Sequence, residues 1–273
     1  MAPYEALSET DWEQVERIHE LLDEGELEQA RTALDAMLRR RPQQPDLRVL
    51  DATICLEEGE PSLALDALKG AERSADPATF FYLRSAAQFD LVQFDDARTD
   101  VERALAIRPD YAHGWDLLSR IHEHQGDAPA ATTAAVHAHE IDPEAFPLPL
   151  EVTDDAFDAL VQRALRELPP PIRKKLAEYP VLVQPLPTRK MLTAESPPLT
   201  PDLLGLFVGR HVFTSAQMLP SGSQDAIYLF RRNLLRACSD LEELEKEVTI
   251  TVRHEMSHVL GLDEDELDDW GLA

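Results

Sequence analysis

Basic residues are scarce in this chain: 26 lysines and arginines stand against 52 aspartates and glutamates, leaving a formal net charge of −26 over 273 residues. A balance this acidic excludes nucleic acid as an expected partner, because a polyanion is repelled at nearly every approach. Basic peptides or protein surfaces suit it, but solubility accounts for the charge equally well, so it serves only to exclude. Cysteine is scarcer still. Cys55 and Cys238 are the only two, and two thiols so far apart make neither a disulfide framework nor a CxxC metal site. Long apolar runs are lacking as well: no stretch approaches the roughly 18 residues of a membrane span. The opening MAPYEALSETDWEQ has neither the basic nor the apolar part of an export signal. The expectation is a cytoplasmic protein with no membrane partner, long enough for two separate cores.

Glycine is also rare, so its recurrence at a fixed interval carries information. Gly25, Gly59 and Gly126 are each followed five residues later by alanine, namely Ala30, Ala64 and Ala131, and Val92 with Ala97 fills the missing place. The spacings are 34, 33 and 34 residues, which indicates an internal repeat. Pro42, Pro109 and Pro143 follow three of these points at one fixed offset, and Pro77 comes one residue late in the second repeat. A small residue in a turn and an alanine where two helices cross let the two helices of a hairpin approach closely, and proline ends the second helix. Leu27, Ala30, Leu34 and Leu38 recur at the spacing of one helix face. These positions, with Phe81 and Trp115 early in their repeats, resemble tetratricopeptide repeats over residues 8–145, with the second repeat degenerate.

That resemblance implies an array of α-α hairpins whose concave face takes a protein or peptide ligand. The groove positions it implies are Trp12, Val15, His19, Asp23, Tyr82, Phe89, Asp90, His113, Asp116 and Arg120. This set is apolar and acidic and lacks the basic carboxylate clamp of chaperone-binding repeats. It therefore favours a ligand with apolar and basic residues. The bland alternative is a purely structural role for the array.

Two prolines in EAFPLPL interrupt the helical pattern near residues 144–150 and mark a boundary, with a second domain over residues 151–273. Phe157, Leu160, Val161, Ala164 and Leu165 predict an amphipathic helix over 154–168, stopped by Pro169, Pro170 and Pro171. After another short helix come three strand-like runs, VLVQPL from Val181, LGLFVG from Leu204 and AIYLF from Ala226. The proline-rich TAESPPLTPD between the first two is expected to be a loop, and LPSGSQD before the third is expected to be a turn. The last helix is predicted to start at Ser239, with Glu242 completing a capping box, and to end at Gly261. The β-branched VTITV within it favours a strand by propensity, but the cap and the helical spacing outweigh that.

On this helix His254 and His258 stand four residues apart, about one turn along one face. Two imidazoles so placed suit a single zinc ion, and Glu255 is then the general base that takes a proton from a water whose pKa the metal lowers towards about 7. The expected reaction is peptide or amide hydrolysis. A third ligand is needed from the short run after His258. Gly261 permits a sharp turn back, bringing Asp263, Glu264 and Asp265 within reach. Glu264 stands where the third histidine stands in the HExxHxxGxxH pattern of metzincins and is preferred, with Asp263 in reserve. Arg253 reads better as a solvated charge than as part of the site. Tyr228 and His211, possible electrophilic helpers, read better as ordinary packing or surface residues.

The second domain resembles the minimal zincin-like metallopeptidase family. The resemblance rests on HEMSHVLGLDEDEL together with LLGLFVG, IYLFRRNLLRAC and the closing GL, across about residues 153–273. It implies a small α+β zincin-like fold with His254 and His258 as zinc ligands and Glu255 as general base. The chain departs from metzincins in having no third histidine and no later methionine turn, which leaves the third ligand open. Two functions compete: a zinc peptidase whose repeats recruit a protein substrate or regulator, and a repeat adaptor whose zincin-like end is structural or inactive. Hydrolysis dependent on Glu255 favours the first, and zinc bound without hydrolysis favours the second.

Overall fold

The computed structural model describes residues 6–72, 75–209 and 225–260, with the backbone alone at 171 and 258–260. The chain divides into two compact units, Met1–Phe146 and Pro147–Ala273.

The first unit consists of helix pairs: α1 (Glu9–Asp23) with α2 (Leu27–Arg40), α3 (Pro45–Glu57) with α4 (Pro61–Leu68), α5 (Pro77–Asp90) with α6 (Phe94–Ile107), and α7 (Ala112–Gln125) with α8 (Ala128–Ile141). The turn inside each pair is built the same way. Gly25, Gly59 and Gly126 have φ of +77°, +73° and +79°. The next residue in each case, Glu26, Glu60 or Asp127, donates its amide to the carbonyl five residues back, at 2.8–2.9 Å. This is the left-handed C-terminal cap that glycine adopts without strain. Val92 occupies the equivalent point at φ 61°, and Gln93 N donates to Gln88 O at 2.8 Å. A β-branched residue in this conformation carries a strain of about 1–2 kcal/mol, offset by burial of its side chain to 3% exposure. The alanines of the repeat, Ala30, Ala64, Ala97 and Ala131, are all buried where the helices cross.

Pro42, Pro109 and Pro143 each lie two residues beyond a helix end, as expected. Pro77 does the opposite. It is the first residue of α5, where the missing amide costs nothing, and Asp76 caps that helix by accepting from Thr79 N at 2.8 Å. The preceding α4 is only eight residues long, which is the structural form of the degenerate second repeat.

The second unit contains α9 (Asp154–Glu167), α10 (Pro170–Leu176), β1 (Val181–Gln184), α11 (Arg189–Leu192), β2 (Gly205–Val208), β3 (Ala226–Phe230), α12 (Arg231–Ala237) and α13 (Leu241–Leu260). The sheet order is β1-β3-β2, with β1 parallel and β2 antiparallel to β3. Phe157, Leu160, Val161 and Ala164 of α9 pack with Ile227 and Leu229 of β3 and with Leu244, Val248, Val252 and Met256 of α13. Those four α13 residues recur every fourth position, so VTITV is helical because the helical register is the one that buries them. The segment TAESPPLTPD forms no strand, as anticipated.

One expectation needs correction, and one helix was not anticipated. Helix α13 begins at Leu241 and is capped by Asp240, which accepts from Glu242 N at 2.8 Å and Glu243 N at 2.9 Å. Ser239 lies outside the helix and donates from its amide and hydroxyl to Glu243 rather than pairing with Glu242. Helix α12 follows β3 without a break and was hidden because no turn residue separates the two. Among the described residues no helix is long and apolar enough to cross a membrane. Gly261 and the expected turn at LPSGSQD lie outside the described residues, apart from Asp225.

Candidate active site

Helix α13 presents different faces at its C-terminal end. His254 is exposed, whereas the next residue, Glu255, is buried to 7% exposure, and Met256 and Ser257 are buried with it. The Glu255 carboxylate is not left without a partner. Its Oε2 accepts from the amide of Phe207 at 2.6 Å, and a hydrogen bond to a charged group contributes about 1.5–3 kcal/mol. The candidate base is therefore tied to a strand, beside a histidine that faces solvent.

Strand β2 is held for this role at three points. Asn233 of α12, buried at 6%, donates from Nδ2 to Pro201 O at 2.9 Å and to Leu203 O at 2.7 Å, fixing the approach to the strand. Phe207 packs its ring edge-on against Tyr179, with centroids 5.6 Å apart. At the strand's start, Gly205 lies under α13 so closely that a Cβ would come within 2.5 Å of Thr251 Cγ2. None of these three residues was singled out from sequence. The only signal was their presence in LLGLFVG and IYLFRRNLLRAC, the stretches that carried the family resemblance.

Position 258 lies one helical turn after His254 on α13; its side chain, and Asp263, Glu264 and Asp265, lie outside the described residues, as does His211. Among the described residues no three metal-binding side chains come together. Tyr228 sits half-buried in β3, opposite Leu206 of β2, and Arg253 is half-buried on α13. Nearer the start of α13, Glu245 is held below the usual carboxylate range by its hydrogen bond with Arg163 of α9. Burial pushes the Cys238 thiol up to about 11, with Glu243, Glu247 and Asp240 adding to the effect. It is a packing residue and not a nucleophile.

In the repeat unit, the expected groove residues divide. Trp12, His19, Asp23 and His113 are exposed, while Tyr82, Asp90, Asp116 and Arg120 are half-buried. Val15 at 7% and Phe89 at 1% belong to the core, because each stands on the buried stripe of its helix. Arg120 Nε lies 3.1 Å from Asp116 and its guanidinium sits over the Phe89 ring. Burial raises the Tyr82 hydroxyl pKa, and the carboxylates of Asp116, Glu57 and Asp90 raise it further against Arg120.

The sequence profile of the zincin-like metallopeptidase family matches residues 176–272, and that of the tetratricopeptide repeat matches residues 15–78 and 82–145. The chain carries tetratricopeptide repeats and a zincin-like metallopeptidase domain. The zincin-like match starts at the last residue of α10, so it takes in all three strands, α12 and α13 and leaves α9 outside. Among solved structures the chain is similar to "MamA RS-1 ArsTM double mutant", at 18% identity and a TM-score of 0.41 over 50% of this chain and 76% of that one. It is also similar to "Crystal structure of MamA", at 17% identity and 0.40 over 63% and 91%. No curated protein matches it.

Proposed function

We propose that this protein is a zinc-dependent peptidase whose repeats recruit a protein substrate or regulator. The observation that carries this reading is the anchoring of Glu255 on β2 beside the exposed His254 within the zincin-like domain. The donor chemistry fits zinc: imidazoles at positions 254 and 258 of one helix would hold the ion, with Glu264, or Asp263 in reserve, as third ligand. When bound, zinc supplies a Lewis acid that polarises a carbonyl and acidifies water.

The chain's own contribution is a fixed carboxylate. The Phe207 amide keeps Glu255 oriented, so the proton moves onto a carboxylate whose position is set before substrate arrives. Burial of Glu255 limits competing water around it, and the exposed His254 leaves its side of the helix accessible. Two free, buried cysteines support a reducing compartment such as the cytoplasm. The mixed aromatic and acidic helix faces of the repeats support a ligand with apolar and basic side chains.

Elemental analysis tests the proposal. The unmodified protein is expected to carry near-stoichiometric zinc, lost in His254→Ala and in Glu264→Ala, while Glu255→Gln keeps the metal and loses hydrolysis. Zinc content unchanged in the histidine variant would overturn the ligand assignment, and zinc without Glu255-dependent hydrolysis of any peptide would favour an adaptor with an inactive zincin-like end.

A further inference from the structure

Glu255 reaches an amide that the sheet itself does not use. Phe230 N donates to Leu204 O at 2.9 Å, and β2 continues antiparallel to β3 with Gly205 opposite Leu229 and Phe207 opposite Ile227. In an antiparallel ladder directly opposed residues alternate between bonded and non-bonded pairs. The bonded Leu204–Phe230 pair therefore puts Gly205 and Phe207 in the alternate places, with their amides directed away from β3. In the order β1-β3-β2, β2 is an edge among the described strands, so the Phe207 amide would otherwise be an unclaimed edge donor. Glu255 claims it across 48 residues of sequence.

The reach depends on a missing side chain. A Cβ at Gly205 would stand 2.5 Å from Thr251 Cγ2, 3.2 Å from Tyr228 O and 3.3 Å from Glu255 Cγ. The first distance is below any real contact, and the third shows that the same Cβ would press on the base. The backbone of Gly205 does not adopt a positive φ, so its requirement is closeness of approach and not backbone freedom.

We infer that Gly205 and the Phe207 amide are positioning residues for Glu255: the glycine lets α13 settle on β2, and the edge amide then fixes the carboxylate. This rests on the peptidase reading for its purpose but not for its geometry. An added methyl at position 205 should lift the helix turn carrying Thr251 and Glu255, and release the amide. Removing Thr251 Cγ2 takes away the closest obstacle and should restore part of the fit, with Tyr228 O at 3.2 Å and Glu255 Cγ at 3.3 Å still to give by a few tenths of an ångström.

The test is amide hydrogen exchange of the metal-free full chain, followed by NMR at Phe207. The Phe207 amide is expected to be protected in the unmodified protein and to exchange about tenfold faster or more in Glu255→Ala, which adds no bulk. Gly205→Ala should show the same loss, and Gly205→Ala combined with Thr251→Ser should recover part of the protection. Protection unchanged in Glu255→Ala or in Gly205→Ala would overturn the inference, as would failure of the Thr251→Ser change to restore any of it. Because no metal or substrate is involved, these outcomes are independent of whether hydrolysis is found. With a peptide substrate in hand, Gly205→Ala should lower kcat per folded molecule, with the folded fraction read by circular dichroism, while leaving KM near its original value.

Discussion

The two units are held together over different distances along the chain. In the repeat unit the defining bonds are local: each helix pair closes through an amide and a carbonyl five residues apart, repeated at Gly25, Gly59, Val92 and Gly126. In the zincin-like unit the bonds that build the site join residues far apart: Phe207 to Glu255 across 48 positions, Asn233 to Leu203 across 30, and Arg163 to Glu245 across 82. Local bonds make each repeat a nearly self-contained unit with its neighbours, so damage stays where it is made. A site assembled from distant segments has no such redundancy, and one lost contact moves several elements.

That contrast can be broken most directly in the core of the zincin-like unit. Phe157 is fully buried between α9 and the rest of that core, and Phe157→Ala is expected to cost about 3–5 kcal/mol. Hydrogen exchange read by mass spectrometry should show the loss across β1, β3 and α13 together, with the repeat helices keeping their protection. Loss of protection in both units would end the separation drawn between them.

Smaller effects are expected at the repeat turns. Gly59→Ala meets nothing within 4 Å, so its cost is the left-handed backbone alone, about 1 kcal/mol, confined to α3 and α4. Val92→Gly sharpens the comparison because two terms oppose each other. Relief of about 1–2 kcal/mol of strain is set against the loss of about 1.5–3 kcal/mol from a buried valine. Chemical denaturation should place this variant within about 1–2 kcal/mol of the parent, and a larger loss would mean that the turn is held by the valine side chain.

The smallest expected effect is an acid response local to α5. The Thr79 amide holds the Asp76 carboxyl below its ordinary 3.8, with Arg108 assisting and burial opposing. A depressed carboxylate contributes stability that is present above the unfolded value of about 3.8 and is lost as pH falls through the lower folded value. Asp76→Asn should therefore flatten the loss of thermal stability on acidification below about pH 4. An identical acid profile would remove the cap from the account.

How much was legible follows from the same distances. The repeat period, the buried alanines and the turns at Gly25, Gly59 and Gly126 could be read because each is enforced within a few residues. Val92 was placed by period alone, since nothing in valine itself announces a left-handed turn. The three strands and the helical state of VTITV were readable from turn residues and from the fourfold spacing of Leu244, Val248, Val252 and Met256. Asp240 was passed over as the cap because Ser239 offers the same chemistry one residue earlier. Helix α12 was missed because it follows β3 directly. Gly205 and Asn233 were not marked as site residues because their importance lies in what packs against them.

By itself, the sequence determined the repeat array, the position of His254 and His258 on one helix, and the chemistry that such a pair with Glu255 can offer. Those features depend on helical periodicity, on the conformations open to glycine and proline, and on residue type, all of which act within a turn or two of chain. Only the tertiary structure decided that Glu255 is buried against β2 while His254 stays exposed. Which amide a carboxylate meets depends on how a helix and a strand dozens of residues apart are laid against each other, and packing settles that where local spacing cannot.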